Sequence, residues 1–136
     1  MKHPVGRHLL VDMHGCNPDL LKRVDFISET IHEAAKRSKA TIVGKMFKQF
    51  EPWAVSGVIV IAESHISIHT WPELGLASVD YYSCSEMQNM DAAVSYLAST
   101  LRATKIQVVA LDRGNLRVTD SYETTIKEEL INEMVV

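Results

Sequence analysis

With 136 residues, 14 basic and 17 acidic side chains and a formal net charge of −3, the chain is the size of one domain and has no excess of positive charge with which to grip a phosphate backbone, which argues against nucleic-acid binding. The two cysteines, Cys16 and Cys84, have neither zinc-ligand nor Cys-x-x-Cys spacing, a pattern that suits a reducing cytoplasm. No basic start followed by an apolar run is visible, and the longest apolar stretch, residues 54–62, is broken by Ser56 and Gly57 and is too short for a bilayer, so a soluble cytoplasmic protein with no membrane partner is expected.

In chain order, Arg7 to Met13 reads as a short apolar strand. A turn over Gly15-Cys16-Asn17-Pro18-Asp19 sets Asn17 as helix cap and Pro18 at the first helical position. Leu20, Leu21, Val24, Ile27, Ile31, Ala34 and Ala35 then form one apolar stripe at three- and four-residue spacing, predicting a helix that ends near Ser38. Thr41 to Phe50 reads as a strand, Glu51-Pro52-Trp53 as a break, and Val55 to His69 as one long central strand. Trp71 to Gly75 turns the chain, and Leu76 to Cys84 runs back as a hairpin partner. Asp91 to Leu101 is a second helix and Ile106 to Leu111 a further strand; the polar residues after Gly114 include at best a marginal helix over Ser121 to Met134. Hairpin-linked strands flanked by helices predict an α+β fold, a two-layer sandwich of a mostly antiparallel sheet with helices on one face. Its other face would then be apolar and uncovered, which predicts assembly as a dimer.

The chemistry concentrates at Glu63-Ser64, where a carboxylate and a hydroxyl interrupt an apolar strand. Burying such groups unpaired costs roughly 1–3 kcal/mol each, so a fold that keeps them there has a use for them. Alternation puts Glu63, His65, Ser67 and His69 on one side of the strand and Ser64, Ile66, Ile68 and Thr70 on the other. Ser64 and His69 would be roughly 17 Å apart along it, and Cys84 within a residue or two of Ser64 across the hairpin. A zinc site from His65, His69 and Cys84 fails on distance, because the two histidines are about 13 Å apart. A Ser64, His69, Asp80 hydrolase triad fails likewise and lacks a Gly-x-Ser-x-Gly elbow. Two readings remain open: hydrogen-bonded strand residues of a binding module, and self-processing. In the latter, Ser64 attacks the Glu63 carbonyl, the resulting ester is broken by elimination, and the former serine becomes a pyruvoyl ketone. That ketone can form a Schiff base with an amino acid and act as an electron sink, with Cys84 placed to return a proton.

Ala62-Glu63-Ser64-His65-Ile66-Ser67-Ile68-His69-Thr70-Trp71-Pro72-Glu73 resembles the processing segment of the prokaryotic S-adenosylmethionine decarboxylases, and Gly6-Arg7-His8, Ala40-Thr41-Ile42-Val43, Val55-Ser56-Gly57-Val58 and Ser83-Cys84 resemble further family positions in order. The resemblance implies one domain over residues 1–136, cleaved at Glu63-Ser64 into a beta chain of residues 1–63 and an alpha chain of residues 64–136. It implies a pyruvoyl group made from Ser64, with no metal and no pyridoxal phosphate. His69 and Ser56 take the processing roles, Cys84 that of proton donor, and Phe50, His69 and Glu73 those of substrate contacts. The implied reaction is decarboxylation of S-adenosylmethionine to the aminopropyl donor for spermidine synthesis, with arginine or ornithine as alternative substrates. Because Ser64 and His69 are too far apart on one strand to cooperate, His69, Ser56, Phe50 and Glu73 are expected to come from the second protomer of a homodimer. Ser85, where glycine is common, and Leu76, where tyrosine is frequent, depart from the family pattern.

Overall fold

The computed structural model describes residues 5–126, and among them a seven-stranded sheet forms one layer. The strands are β1 (Gly6–His14), β2 (Ile42–Gln49), β3 (Val55–Ile61), β4 (Ser64–Trp71), β5 (Leu76–Ser83), β6 (Lys105–Arg113) and β7 (Arg117–Thr125). Their order across the sheet is β2-β3-β4-β5-β1-β6-β7, and every pairing is antiparallel. The helices α1 (Pro18–Leu21), α2 (Val24–Arg37) and α3 (Met90–Thr100) supply the second layer. Leu9, Val11 and Met13 of β1, Ile66 and Ile68 of β4, and Val79 and Tyr81 of β5 meet Ile27, Ile31 and Ala35 of α2 and Leu97 of α3 in a single buried cluster. The period-two and period-3.6 stripes face each other there, which is what holds helices to one side of the sheet.

Four elements differ from the sequence reading. The helix expected through Ser38 is broken after Leu21, although Asn17 caps it as expected, accepting from the Asp19 N–H at 2.9 Å. Sheet side chains take the carbonyls at the break: Thr70 Oγ1 donates to the Leu21 carbonyl at 3.0 Å and Gln49 Nε2 to the Lys22 carbonyl at 2.8 Å, while Arg23 turns extended. The helical stripe is continuous across this point, so only these tertiary bonds mark the break.

The single long strand from Val55 to His69 is two strands, β3 and β4, folded on each other about Ala62-Glu63, with Ile61 across from Ser64 and Ser56 across from His69. Such a tight turn usually announces itself by glycine or asparagine at positive φ; here Glu63 takes that conformation, at φ 61°, and no turn residue signals the bend. The polar stretch after Gly114 is the edge strand β7, exposed along its length, and the helix expected from Ser121 is strand as far as Thr125; its remainder lies outside the described residues. Val118, Thr119, Tyr122, Thr124 and Thr125 are strand formers, and main-chain pairing with β6 needs no buried stripe.

The fourth difference is the open face of the sheet, which is a mixed surface instead of the broad apolar patch expected. Leu10 and Val60 are exposed on it, but so is a polar lattice: Ser78 Oγ donates to Asp12 at 2.8 Å, Ser67 Oγ to Asp80 at 3.3 Å, and His14 pairs with Gln107 at 2.6 Å. Alternation alone assigns residues to a face; it does not make that face apolar.

Candidate active site

The turn at Ala62-Glu63 delivers Ser64 to the first position of β4, and the last residues of β5 lie beside it. The Cys84 N–H donates to Ser64 Oγ at 3.1 Å, so Cys84 is the neighbour the sequence indicated. Ser64 is half-buried, and its hydroxyl can donate back to the Ala62 carbonyl at 3.4 Å. Glu63, on the acyl side of the Glu63-Ser64 bond, sits in the left-handed region at φ 61°, which costs a non-glycine residue on the order of 1 kcal/mol.

Four side chains cluster at the neighbouring strand positions, two of them, Tyr82 and Arg113, passed over by pattern reading. The His65 ring stacks on Tyr82 with centroids 5.9 Å apart and planes 10° from parallel. His8 meets Tyr82 edge-on at 5.3 Å, and the Arg113 guanidinium lies 5.2 Å from the Tyr82 ring centre. Arg113 donates to His8 Nδ1 at 2.9 Å, which puts the proton of a neutral His8 on Nε2, 3.9 Å from the Asp80 carboxylate. Burial lowers the His8 pKa below its ordinary value, against the pull of Asp80 and with the push of Arg113 and His65. The Tyr82 phenol is raised, by desolvation first and then by Cys84 as hydrogen-bond partner and charge, with Arg113 opposing. The signal that could have found this group is the Gly6-Arg7-His8 run, because β1 lies next to β5 and His8 pairs with Tyr82.

The other expected site residues gather at the far end of β4. Ser56 Oγ and His69 Nδ1 share a hydrogen bond of 2.8 Å across the β3–β4 pair. His69 lies 6.3 Å from Trp71, centre to centre, Glu73 follows in an exposed turn, and Phe50 and Trp53 at the β2–β3 connection are 48 % and 52 % exposed. Five strand residues separate Ser64 from His69, roughly 17 Å. The chain therefore brings together Ser64 with Cys84, and Ser56 with His69, but not the two pairs with each other. Asp80 bonds Ser67 and faces His8, away from any Ser64 relay. Two concavities, about 530 Å³ between α2, α3 and β2 and about 690 Å³ over Leu10, Asp12, Asp80 and Gln107, include neither Ser64 nor Cys84. Cys16, the second thiol, is buried and pushed up to about 12 by desolvation, which leaves Cys84 as the chemically available one.

A sequence model described as S-adenosylmethionine decarboxylase matches residues 7–114, a span that takes in Ser56, Ser64, His69 and Cys84. The chain belongs to the S-adenosylmethionine decarboxylase family. Among curated members, the S-adenosylmethionine decarboxylase proenzyme of Thermodesulfovibrio yellowstonii is 39 % identical over 112 residues, covering 82 % of this chain and 83 % of its own, and that of Acidithiobacillus ferrooxidans is 34 % identical over 128 residues, covering 93 % and 96 %. The crystal structure of adenosylmethionine decarboxylase from Aquifex aeolicus superposes with a TM-score of 0.78 at 35 % identity, covering 88 % of this chain and 98 % of that one. A Trypanosoma brucei AdoMetDC monomer, 16 % identical with a TM-score of 0.60 over 77 % of this chain and 45 % of its own, shares the fold. The S-adenosylmethionine decarboxylase family thus accounts for the α+β sheet and for the order of motifs along it. No helix among the described residues is long and apolar enough to cross a membrane.

Proposed function

We propose that this chain cuts itself between Glu63 and Ser64, converts Ser64 into a pyruvoyl group, and uses it to decarboxylate S-adenosylmethionine to S-adenosylmethioninamine. The observation that carries the reading is the corner at Ser64: a serine held by the Cys84 N–H, immediately after a residue in left-handed backbone. Ser64 Oγ attacks the Glu63 carbonyl carbon, the bond to the Ser64 nitrogen breaks, and an ester forms. Removal of the Ser64 α-proton then expels the Glu63 carboxylate, and hydrolysis of the resulting enamine, after tautomerisation, releases ammonia and leaves the ketone at the new amino end. The left-handed Glu63 favours the first step, because cutting its peptide frees a backbone that is held at a cost.

The residues present fit that group. It would stand at the first position of β4 with the Cys84 main chain bonded beside it, and it supplies a ketone that condenses with the substrate amine and accepts the electron pair released as carbon dioxide leaves. Cys84 gives a proton to the substrate carbon. His69 and Ser56 act as a pair, the serine sharing the imidazole's Nδ1 and so fixing the ring, with His69 assisting elimination and Ser56 polarising the scissile carbonyl. Phe50 and His69 offer ring faces to adenine and to the sulfonium cation, an attraction of roughly 0.5–2 kcal/mol, and Glu73 accepts from the ribose hydroxyls. The reading requires neither a metal nor pyridoxal phosphate.

The two pairs sit at opposite ends of β4, so a complete site takes Ser64 and Cys84 from one protomer and Ser56, His69, Phe50 and Glu73 from its partner in a homodimer. A denaturing gel tests the first claim: wild-type protein gives two bands, residues 1–63 and 64–136, whereas Ser64→Ala stays as one. Carbon dioxide release from S-adenosylmethionine tests the second. A single intact band from wild-type protein that has folded and assembled would refute the processing step.

A further inference from the structure

Tyr82 is held more firmly than a half-buried strand residue needs to be. Its ring is stacked by His65, met edge-on by His8 and overlain by Arg113. Its hydroxyl reaches over Gly6: a Cβ added at Gly6 would lie 3.0 Å from Tyr82 Oη and 2.9 Å from the Ser83 carbonyl. The β1–β5 ladder ends with Arg7 paired to Ser83; Gly6 is the next residue on β1, and Cys84 the first after β5. The missing side chain at Gly6 is thus a slot that lets the tyrosine lean along the strand to the level of Cys84. Gly6 also pairs with Arg113 on its other flank, which brings the guanidinium over the same ring. Burial raises the Tyr82 phenol, and Cys84 on the same edge raises it further.

We propose that Tyr82 is a positioning residue for Cys84: its hydroxyl, laid across Gly6, holds the thiol in the orientation from which a proton reaches the substrate carbon. The idea rests on the decarboxylase reading above. A sulfur on a short side chain just after β5 has three staggered positions about χ1, which point in different directions. A hydroxyl fixed by three aromatic or cationic contacts removes that freedom.

Tyr82→Phe is the test, because it keeps the ring and its contacts. In the otherwise natural chain we expect two-band cleavage as in wild type, unchanged KM, and kcat lower by about tenfold. Mass spectrometry of the fragment beginning at residue 64 should show alanine accumulating there during turnover. A proton delivered to the former serine carbon instead of the substrate carbon, followed by water cutting the carbon–nitrogen bond on the substrate side, leaves the nitrogen on the protein as alanine and releases the substrate skeleton as an aldehyde. In the uncleaved Ser64→Ala chain, alkylation of Cys84 by iodoacetamide at a fixed, mildly alkaline pH should slow by about threefold on adding Tyr82→Phe, while Cys16 stays silent. Unchanged kcat, alanine content and alkylation rate would overturn the proposal, as would a loss of kcat that only tracks a lowered Tm. Should the phenylalanine variant fold poorly, 3,5-difluorotyrosine at position 82 keeps the shape, and an unaltered alkylation rate with it overturns the proposal. If wild-type protein never cleaves, the decarboxylase reading fails, and the alkylation comparison still decides whether Tyr82 governs the thiol.

Discussion

The two ends of β4 are built on opposite plans. At the Ser64 end the Cys84 main chain bonds the serine, and at the neighbouring positions of β1, β4, β5 and β6 the side chains of His8, His65, Tyr82 and Arg113 pack on one another. At the His69 end one hydrogen bond fixes the imidazole to Ser56, and Phe50, Trp53, Trp71 and Glu73 face outward. A site that must break and make covalent bonds needs groups preset by their surroundings, whereas exposed aromatic faces and a solvated carboxylate are the equipment of a surface that receives something. On the proposed reading one strand carries both halves of the chemistry, five residues or roughly 17 Å apart.

The largest effect should come from separating the halves genetically. Ser64→Ala and His69→Ala chains are each expected to be inactive alone, but co-expressed they should form mixed dimers with one intact site, restoring about a quarter of wild-type carbon dioxide release if chains pair at random. No restoration in dimers shown to be mixed would mean that each chain completes its own site. Next in size, Cys84→Ala should leave cleavage largely intact, since the bond to Ser64 comes from the main chain, yet lower kcat by roughly 10²–10⁴-fold, read by single-turnover kinetics.

Thr70→Val probes what fixes the His69 end. Thr70 Oγ1 both accepts from the Val55 N–H at 2.9 Å and donates to the Leu21 carbonyl, all buried. Losing it should cost about 1–3 kcal/mol in denaturant unfolding and speed hydrogen exchange at Val55 more than at Cys84. The smallest effect concerns His8. Its folded pKa is lowered, so the unfolded chain binds the proton more readily; this contribution to stability is complete above the ordinary value of 6.5 and is lost as pH falls through the folded value. As pH falls from 6.5 through the folded value, Tm should decline less steeply in His8→Gln than in wild type, with Asp80, Arg113 and His65 as the charges facing the ring.

Much of the fold was legible because it is periodic. The stripe from Leu20 to Ala35, the alternation in β1, β4 and β5, and Asn17-Pro18 at a helix start each state their structure locally, and the α+β sandwich follows from their order. The candidate site was half legible. Distance along a strand was enough to pair Ser64 with Cys84 and to part it from His69, although the strand was drawn too long. Tyr82 and Arg113 carried no signal of their own, since an aromatic and a basic residue in strands have ordinary places in a sheet.

By itself the sequence determined which residues could do chemistry and which faces they share, because side-chain type and a period of two or 3.6 are properties of neighbours along the chain. Tertiary structure alone decided that the chain folds back at Glu63 without a glycine, that sheet side chains end α1, that a polar tail becomes β7, and that Gly6 opens a slot for Tyr82. Each of these depends on hydrogen bonds or contacts between residues distant in sequence, or on a backbone conformation imposed against local preference, and no pattern in a short window records either.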